Sequence, residues 1–238
     1  VDKITGIFHC LSCGFKGNIF TYFGEKANLD QIRRDRLKEK ILNKMSETIG
    51  FNMPEHVKYE GDWRGISQAT YDKFEAFESV EPQFIGRVVF PIRDASGIIV
   101  AFIGRHTTMN HNPKYLFHPR KVKIPLYPVV IPIMGKVILV EGIFDMLNLH
   151  DKGLTNAICC FGTQSLNREK LELLKIQGIE GVDFLFDGDD AGKSAASKAA
   201  ELAEEMGFTV RNISLKEGDD PGSLNENTIT KLKEKLYG

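Results

Sequence analysis

The chain has 238 residues, 42% hydrophobic and 26% charged, with a formal net charge of −1, the make-up of an ordinary soluble globular protein of one large domain or two small ones. No apolar run approaches the ~20 residues that a membrane helix needs, and the first twenty residues hold no long apolar core, so neither a spanning segment nor a secretory signal is expected. The four cysteines fall in two pairs, Cys10/Cys13 and Cys159/Cys160; this is no secreted disulfide framework, and a reducing cytoplasm is the expectation.

Residues 1–24 contain FHCLSCGFKGNIFTYFG, a short Cys-bearing turn followed by aromatics. Residues 25–56 are polar and helix-forming, and Ile32, Leu37, Ile41, Leu42 and Met45 recur near helical spacing, which predicts a connecting helix. GISQATYDKFEAF, residues 65–77, predicts a second short helix with Ser67 as its N-cap. GRVVFPIRD and GIIVAFIGR are β-rich runs around Asp94-Ala95-Ser96-Gly97, a turn composition, and predict a β-hairpin. PKYLFHPRKVKIPLYP reads as an extended basic loop, its prolines arguing against helix.

From Lys136 the rhythm changes. KVILVEG, NAICCFGT, GVDFLFDGD and FTVRNISL predict four strands, and a helical segment follows each. Strands that are apolar throughout and alternate with helices form a parallel sheet covered on both faces. Ligands of such sheets sit at the carboxyl ends of the strands. The charge is also uneven. Residues 1–136 carry 20 Lys/Arg against 14 Asp/Glu, and residues 137–238 carry 11 against 18. Between 84 and 136 the basic residues are interleaved with Phe90, Phe102, Tyr115, Phe117 and Tyr127, a pattern of nucleic-acid contact beside an acidic half.

DFLFDGDDAGKSAA places Asp187, Asp189 and Asp190 at the end of the third strand. Glu141 ends the first. If those two strands are neighbours the carboxylates converge at one sheet edge, and Asp145, one helical turn on, faces the same way. Asp219 and Asp220 in the loop after the fourth strand can join them. Carboxylates with open water positions are the ligand set of Mg²⁺ or Mn²⁺. Helix capping would account for Asp187 or Asp190 alone, but a strand such as VILVEG has no packing need for a terminal acid. Cys159 and Cys160 fall inside a buried strand and read as core.

In order and spacing, VEGIFDMLNL, CCFGTQSL, FLFDGDDAGKSAA and GDDPGSL resemble the TOPRIM domain of DnaG-type bacterial and phage DNA primases. Upstream, GRVVFPIRDASGIIVAFIGR with PKYLFHP is similar to the small basic subdomain before TOPRIM, RGISQATYDKF to the short helix preceding it, and FHCLSCGFKGNIFTYF to the second half of the primase zinc ribbon. The resemblance implies an α/β fold: a TOPRIM-type parallel sheet flanked by helices (136–238), preceded by a small mixed α+β basic subdomain (61–135), a helical linker (25–60) and a partial zinc ribbon (1–24). It implies primer synthesis on single-stranded DNA from ribonucleoside triphosphates, by metal-dependent nucleotidyl transfer, with a replicative helicase as a candidate partner in trans. Glu141, Asp187 and Asp189 would hold the catalytic Mg²⁺ or Mn²⁺, with Asp145 and Asp220 in the same site. Arg87, Arg105, Lys114 and Tyr115, and one of Lys121 and Lys123, would bind template or nucleotide. Cys10 and Cys13 would bind zinc only if a missing ligand pair is supplied, as in an intact parent. Two further departures are Gly222, where the family often has Asp, and Phe117 with His118, where it often has Asn and Ser. The competing functions are a TOPRIM nuclease and a non-catalytic adaptor that binds single-stranded DNA.

Overall fold

A computed structural model of the chain describes residues 6–18, 22, 50–108, 112–129 and 135–237. The chain divides into two compact units, residues 1–47 and 48–238. In the first, β1 (Ile7–His9) and β2 (Lys16–Asn18) form an antiparallel hairpin with Phe8 opposite Gly17. The Cys10 N–H donates to the Phe15 carbonyl (2.8 Å), and the Gly14 N–H donates to the Cys10 carbonyl (2.9 Å). This turn presents both thiols, and Phe8 packs on Phe15 behind it, centroids 5.5 Å apart. The expected connecting helix lies mostly outside the described residues. Its described end, residues 50–56, is not helical, and Phe51 bridges to Ile99 instead.

The second unit opens with a five-stranded antiparallel sheet. Its strands are β3 (Val57–Lys58), β4 (Phe77–Glu78), β5 (Arg87–Arg93), β6 (Ile99–His106) and β7 (Tyr115–His118), adjacent in that order. The expected hairpin is β5 and β6. Its turn is held by Asp94, whose Oδ1 accepts from the Ser96 and Ile98 N–H groups at 2.9 and 3.0 Å. β7 corrects the reading of that segment as a loop. Pro113 and Pro119 bound the strand without entering it, and β7 is an edge, where proline is tolerated.

The helix α1 (Gln68–Lys73) is shorter than the sequence implied, because Glu75 turns left-handed (φ 54°) and leads into β4. Ser67 stands at its N-cap position, but its hydroxyl donates to Asp151, which also accepts from the Ser67 N–H (3.0 Å) and Thr70 (2.7 Å). A distant carboxylate thus anchors the start of the helix through Ser67 and the Thr70 hydroxyl.

The remaining elements alternate as expected: β8 (Lys136–Val140), α2 (Ile143–Asp151), β9 (Ala157–Cys159), α3 (Arg168–Ile176), β10 (Gly181–Phe184), α4 (Asp190–Glu205), β11 (Thr209–Asn212) and α5 (Glu226–Tyr237). The four strands are parallel in the order β11-β10-β8-β9, with Leu139 opposite Phe184. Alternate residues feed opposite faces. Ile138, Val140 and Leu185 join an apolar cluster that also takes Val88, Phe90 and Ile92 of β5, while Val137, Leu139, Val182 and Phe184 pack beneath α3 and α4. Among the described residues no helix is long and apolar enough to cross a membrane.

Among the polar residues buried in this core, Asp183 carries a charge in the middle of a sheet strand. Asp183 on β10 is 2% exposed and is held by both arms of the Arg211 guanidinium at 2.6 Å, with the Tyr237 hydroxyl at 3.3 Å. Removing one partner of a buried pair leaves an uncompensated charge, which costs roughly 3–5 kcal/mol. Arg211→Ala is therefore expected to destabilise the chain by about 3 kcal/mol, the lower end because Arg211 itself is partly in water; urea unfolding measures it.

Candidate active site

The order of the sheet puts β8 beside β10, so the residues following them share one rim. Glu141 Oε1 lies 3.5 Å from the Asp187 backbone nitrogen, a contact long for a hydrogen bond. Asp145, in the first turn of α2, accepts the Gly142 N–H through Oδ2 at 2.9 Å. Asn148 donates to the Pro221 and Leu224 carbonyls (2.8 and 3.0 Å), which draws the Asp220 loop onto α2. Glu141, Asp145, Asp187 and Asp220 consequently line one cavity of about 380 Å³.

Asp189 does not line it. It is the N-cap of α4, its Oδ1 accepting the Gly192 N–H at 2.7 Å. The capping role, weighed in the sequence as an alternative for Asp187 or Asp190, belongs to Asp189, which still stands close enough to raise Glu141 and Asp187 electrostatically. Burial comes first in raising all three titrating carboxyls: Glu141, with Asp187 next; Asp187, with Asp220 next; and Asp145, pushed up to about 7, with Asp187 next. Asp220 Oδ1 is buried without a hydrogen-bond partner. Among the described residues no three carboxylates, imidazoles or thiols stand close enough to enclose an ion. The expected metal site is thus a shared cavity, not a closed cage. The donor chemistry fits a hard divalent cation: oxygens only, raised by burial and then by one another, one of them without a hydrogen-bond partner.

The facing wall has the opposite character. Arg64, Lys114, Tyr115, Phe117 and Phe161 line the same cavity. Arg105 stacks over Tyr115, its guanidinium carbon 4.6 Å from the ring centroid, and its Nε and Nη1 are buried without partners. Arg105 itself does not line the cavity, and reaches it only through the Tyr115 ring. Arg87, expected in the groove, is instead 4% exposed, and donates to the carbonyls of Pro113 (3.0 Å), Lys114 (3.3 Å) and Gly104 (3.4 Å). It braces the segment that carries Lys114 and Tyr115, because β5 is buried from Arg87 to Ile92. Lys121 and Lys123 are exposed beyond β7 and do not line the cavity; Lys123 is 4.0 Å from Glu169. Cys159 and Cys160 are fully buried, and burial pushes the Cys160 thiol up to about 12, so both are core.

Residues 64–122 match the family described as the N-terminal domain of the DNA primase catalytic core, and residues 138–224 match the Toprim-like family. A DNA primase of Clostridium acetobutylicum is 31% identical over 93% of this chain and 48% of its own length. The chain belongs to the DnaG-type DNA primase family. A primase domain from Pseudomonas aeruginosa superposes with a TM-score of 0.52 at 33% identity, over 66% of this chain and 54% of that one. The zinc-binding and RNA polymerase domains of the Aquifex aeolicus primase share the fold, with a TM-score of 0.63 at 24% identity over 97% and 72%. The chain spans half or less of the length of the curated primases it matches.

Within this primase fold, sequence reasoning missed Arg64. Its signal was the Arg-Gly that opens RGISQATYDKF, in the turn Trp63–Gly65 ahead of α1. Arg64 is left-handed (φ 63°), and its guanidinium carbon sits 5.4 Å from the Phe144 ring centroid. The two departures separate as well. Phe117 faces the cavity, whereas His118 packs on Phe84 and Phe51, centroids 5.7 and 6.2 Å away. At Gly222 a Cβ would lie 2.7 Å from Asp145 Oδ1 and 3.0 Å from Asp220 Oδ1, so the two carboxylates converge on the space a side chain would take.

Proposed function

We propose that this chain synthesises short RNA primers on single-stranded DNA from ribonucleoside triphosphates. The observation that carries the reading is one cavity with acid on the rim of a parallel sheet and cations and aromatic rings opposite. Glu141, Asp145, Asp187 and Asp220 hold the divalent cation, Mg²⁺ or Mn²⁺, with Asp189 beside them. When bound, the cation neutralises phosphate charge and favours attack of a 3′-hydroxyl on an α-phosphate as pyrophosphate leaves. Arg64 and Lys114 draw in the phosphates, and Arg105, over the Tyr115 ring, adds positive charge to that side. Arg87 acts as a brace, and Lys121 and Lys123 meet template outside the cavity. A DnaG primase catalytic domain of like fold has been solved bound to single-stranded DNA, which supports that template class. Binding through these cations weakens as salt rises.

The division into a zinc-ribbon segment, linker, basic subdomain and TOPRIM domain belongs to the same proposal, as do a cytoplasmic setting and a helicase acting in trans. Cys10 and Cys13 contribute half of a tetrahedral zinc site, which needs two further ligands.

The test is incubation with single-stranded template, labelled ribonucleotides and Mg²⁺ or Mn²⁺. Extension supports the reading; degradation of the template, or binding without synthesis, rejects it. Gly222→Ala is expected to turn Asp145 and Asp220 away from each other and to weaken divalent-cation uptake by about tenfold, measured by calorimetry, since displacing groups around a metal typically costs 10–100-fold.

A further inference from the structure

Phe161 is the residue the proposed reaction has not used. It follows β9 with φ 57°, and Gly162 follows it with φ 95°. Glycine adopts the left-handed region freely, but a bulky side chain there is held by its surroundings. The surroundings are explicit. The Cys160 carbonyl accepts from the Ser165 hydroxyl and from Lys170 Nζ (3.1 Å), and Lys170 also donates to Ser165 Oγ (3.0 Å). On the other side the Gly162 N–H donates to the Glu141 carbonyl at 3.0 Å. The turn is therefore pinned at both ends, once to the residue that carries a rim carboxylate.

The consequence is a half-buried ring in the cavity wall. Phe161 meets Phe117 edge to face, centroids 5.8 Å apart at 88°, and Tyr127 backs it at 6.0 Å. Phe117 lines the same cavity, and Ile103 completes this apolar side. Ligand sites of roughly 300–1,000 Å³ hold small molecules, and this cavity of about 380 Å³ takes one compact ligand. Its acid rim suits a cation-bound phosphate. Its opposite side offers rings, and flat π faces accept any base by stacking.

We infer that Phe161, with Phe117 at right angles to it, is the shelf on which the base of a ribonucleoside triphosphate stacks while its phosphates face Glu141 and Asp187, and that Ser165 and Lys170 are the positioning residues that hold this shelf. The inference rests on the nucleotidyl-transfer reading, and names the group that its nucleotide presents to the aromatic side. A template base is not the occupant, because the cavity that holds the rings is the one that holds the carboxylates.

The experiment uses the full chain and 2-aminopurine riboside triphosphate, whose fluorescence is quenched on stacking, together with primer-synthesis kinetics. Phe161→Leu keeps bulk and apolarity but removes the π face. It is expected to weaken binding of this probe and to raise KM for ribonucleotides by about tenfold, the loss falling on KM and not on kcat. Phe161→Tyr is expected to retain wild-type binding. Lys170→Met is expected to raise KM in the same sense, with Lys170→Arg restoring it. A Leu variant that binds and quenches the probe as wild type does overturns the shelf and leaves Phe161 as packing. A loss confined to affinity for single-stranded template also overturns it. Should Phe161→Leu fail to fold, Phe117→Leu carries the same expectation outside the strained turn. If the wild-type chain quenches the probe but makes no primer, the nucleotidyl-transfer reading fails while the shelf stands.

Discussion

Glu141→Gln is expected to lower primer synthesis by about 10³-fold or more, and at the same time to raise the melting temperature of the chain measured without divalent cations. The two effects have one cause. Glu141 is held at the end of β8 in a half-buried position, where burial first and Asp187 second push its carboxyl above the ordinary range. The ionised form is therefore disfavoured in the folded chain, and an amide of the same shape removes that repulsion. The same charge is what holds a cation against the phosphates, and stabilisation of this kind contributes several kcal/mol of transition-state free energy, each 1.36 kcal/mol being tenfold in rate. A template-extension assay and a thermal melt in chelator measure the two halves. A variant that is less stable and still active would make Glu141 a structural residue and end the proposed role.

The position of Glu141 on the rim was legible in the sequence. An acid at the end of an unbroken apolar strand has no packing reason to be there, and the parallel sheet places strand ends at ligand sites. The sheet was legible for the same physical reason: strands buried on both faces read as continuous apolar runs, and the pairing of β8 with β10 followed the expected adjacency. What the sequence hid depends on three dimensions. The three carbonyls that hold Arg87 come from a neighbouring strand and the segment after it, so an arginine in a basic stretch looked like a groove residue. Asp183 reads as an interruption of an apolar strand until Arg211 on β11 is seen to pair with it. Asp189 and Asp187 differ by two positions and by little else in sequence, yet only Asp189 meets the Gly192 N–H of α4. β7 was concealed by the prolines that bound it, and the left-handed turn at Phe161 by having only one glycine to announce two unusual residues.

Asp145 supplies the second large effect, a dependence on pH with a defined sign. Its carboxyl is pushed up to about 7 by burial, with Asp187 the next cause, from an ordinary value of 3.8. A group whose folded pKa lies above its unfolded one binds more protons in the folded state between the two values. Stability then falls as pH rises from about 4 to about 7, and the full cost is present above that. His150 acts in the opposite direction: burial lowers it from 6.5 to about 4, so its contribution improves as pH rises to 6.5. Asp72, Glu75 and Asp151, all lowered, contribute stability that is lost only as pH falls through the acid range. The measurement that isolates Asp145 is therefore the difference in melting temperature between the chain and Asp145→Asn, in chelator, from pH 5.5 to 8. The variant is expected to become progressively the more stable of the two across that window. Adding Mg²⁺ or Mn²⁺ is expected to reverse the order above pH 7, because only the ionised carboxylate offers a ligand, and uptake at pH 6 is expected to release a proton that uptake at pH 8.5 does not. Calorimetry in two buffers of different ionisation enthalpy counts that proton. A melting difference that stays flat from pH 5.5 to 8, or cation uptake that releases no proton at pH 6, would remove Asp145 from the acidic site and leave it as the carboxylate that caps Gly142.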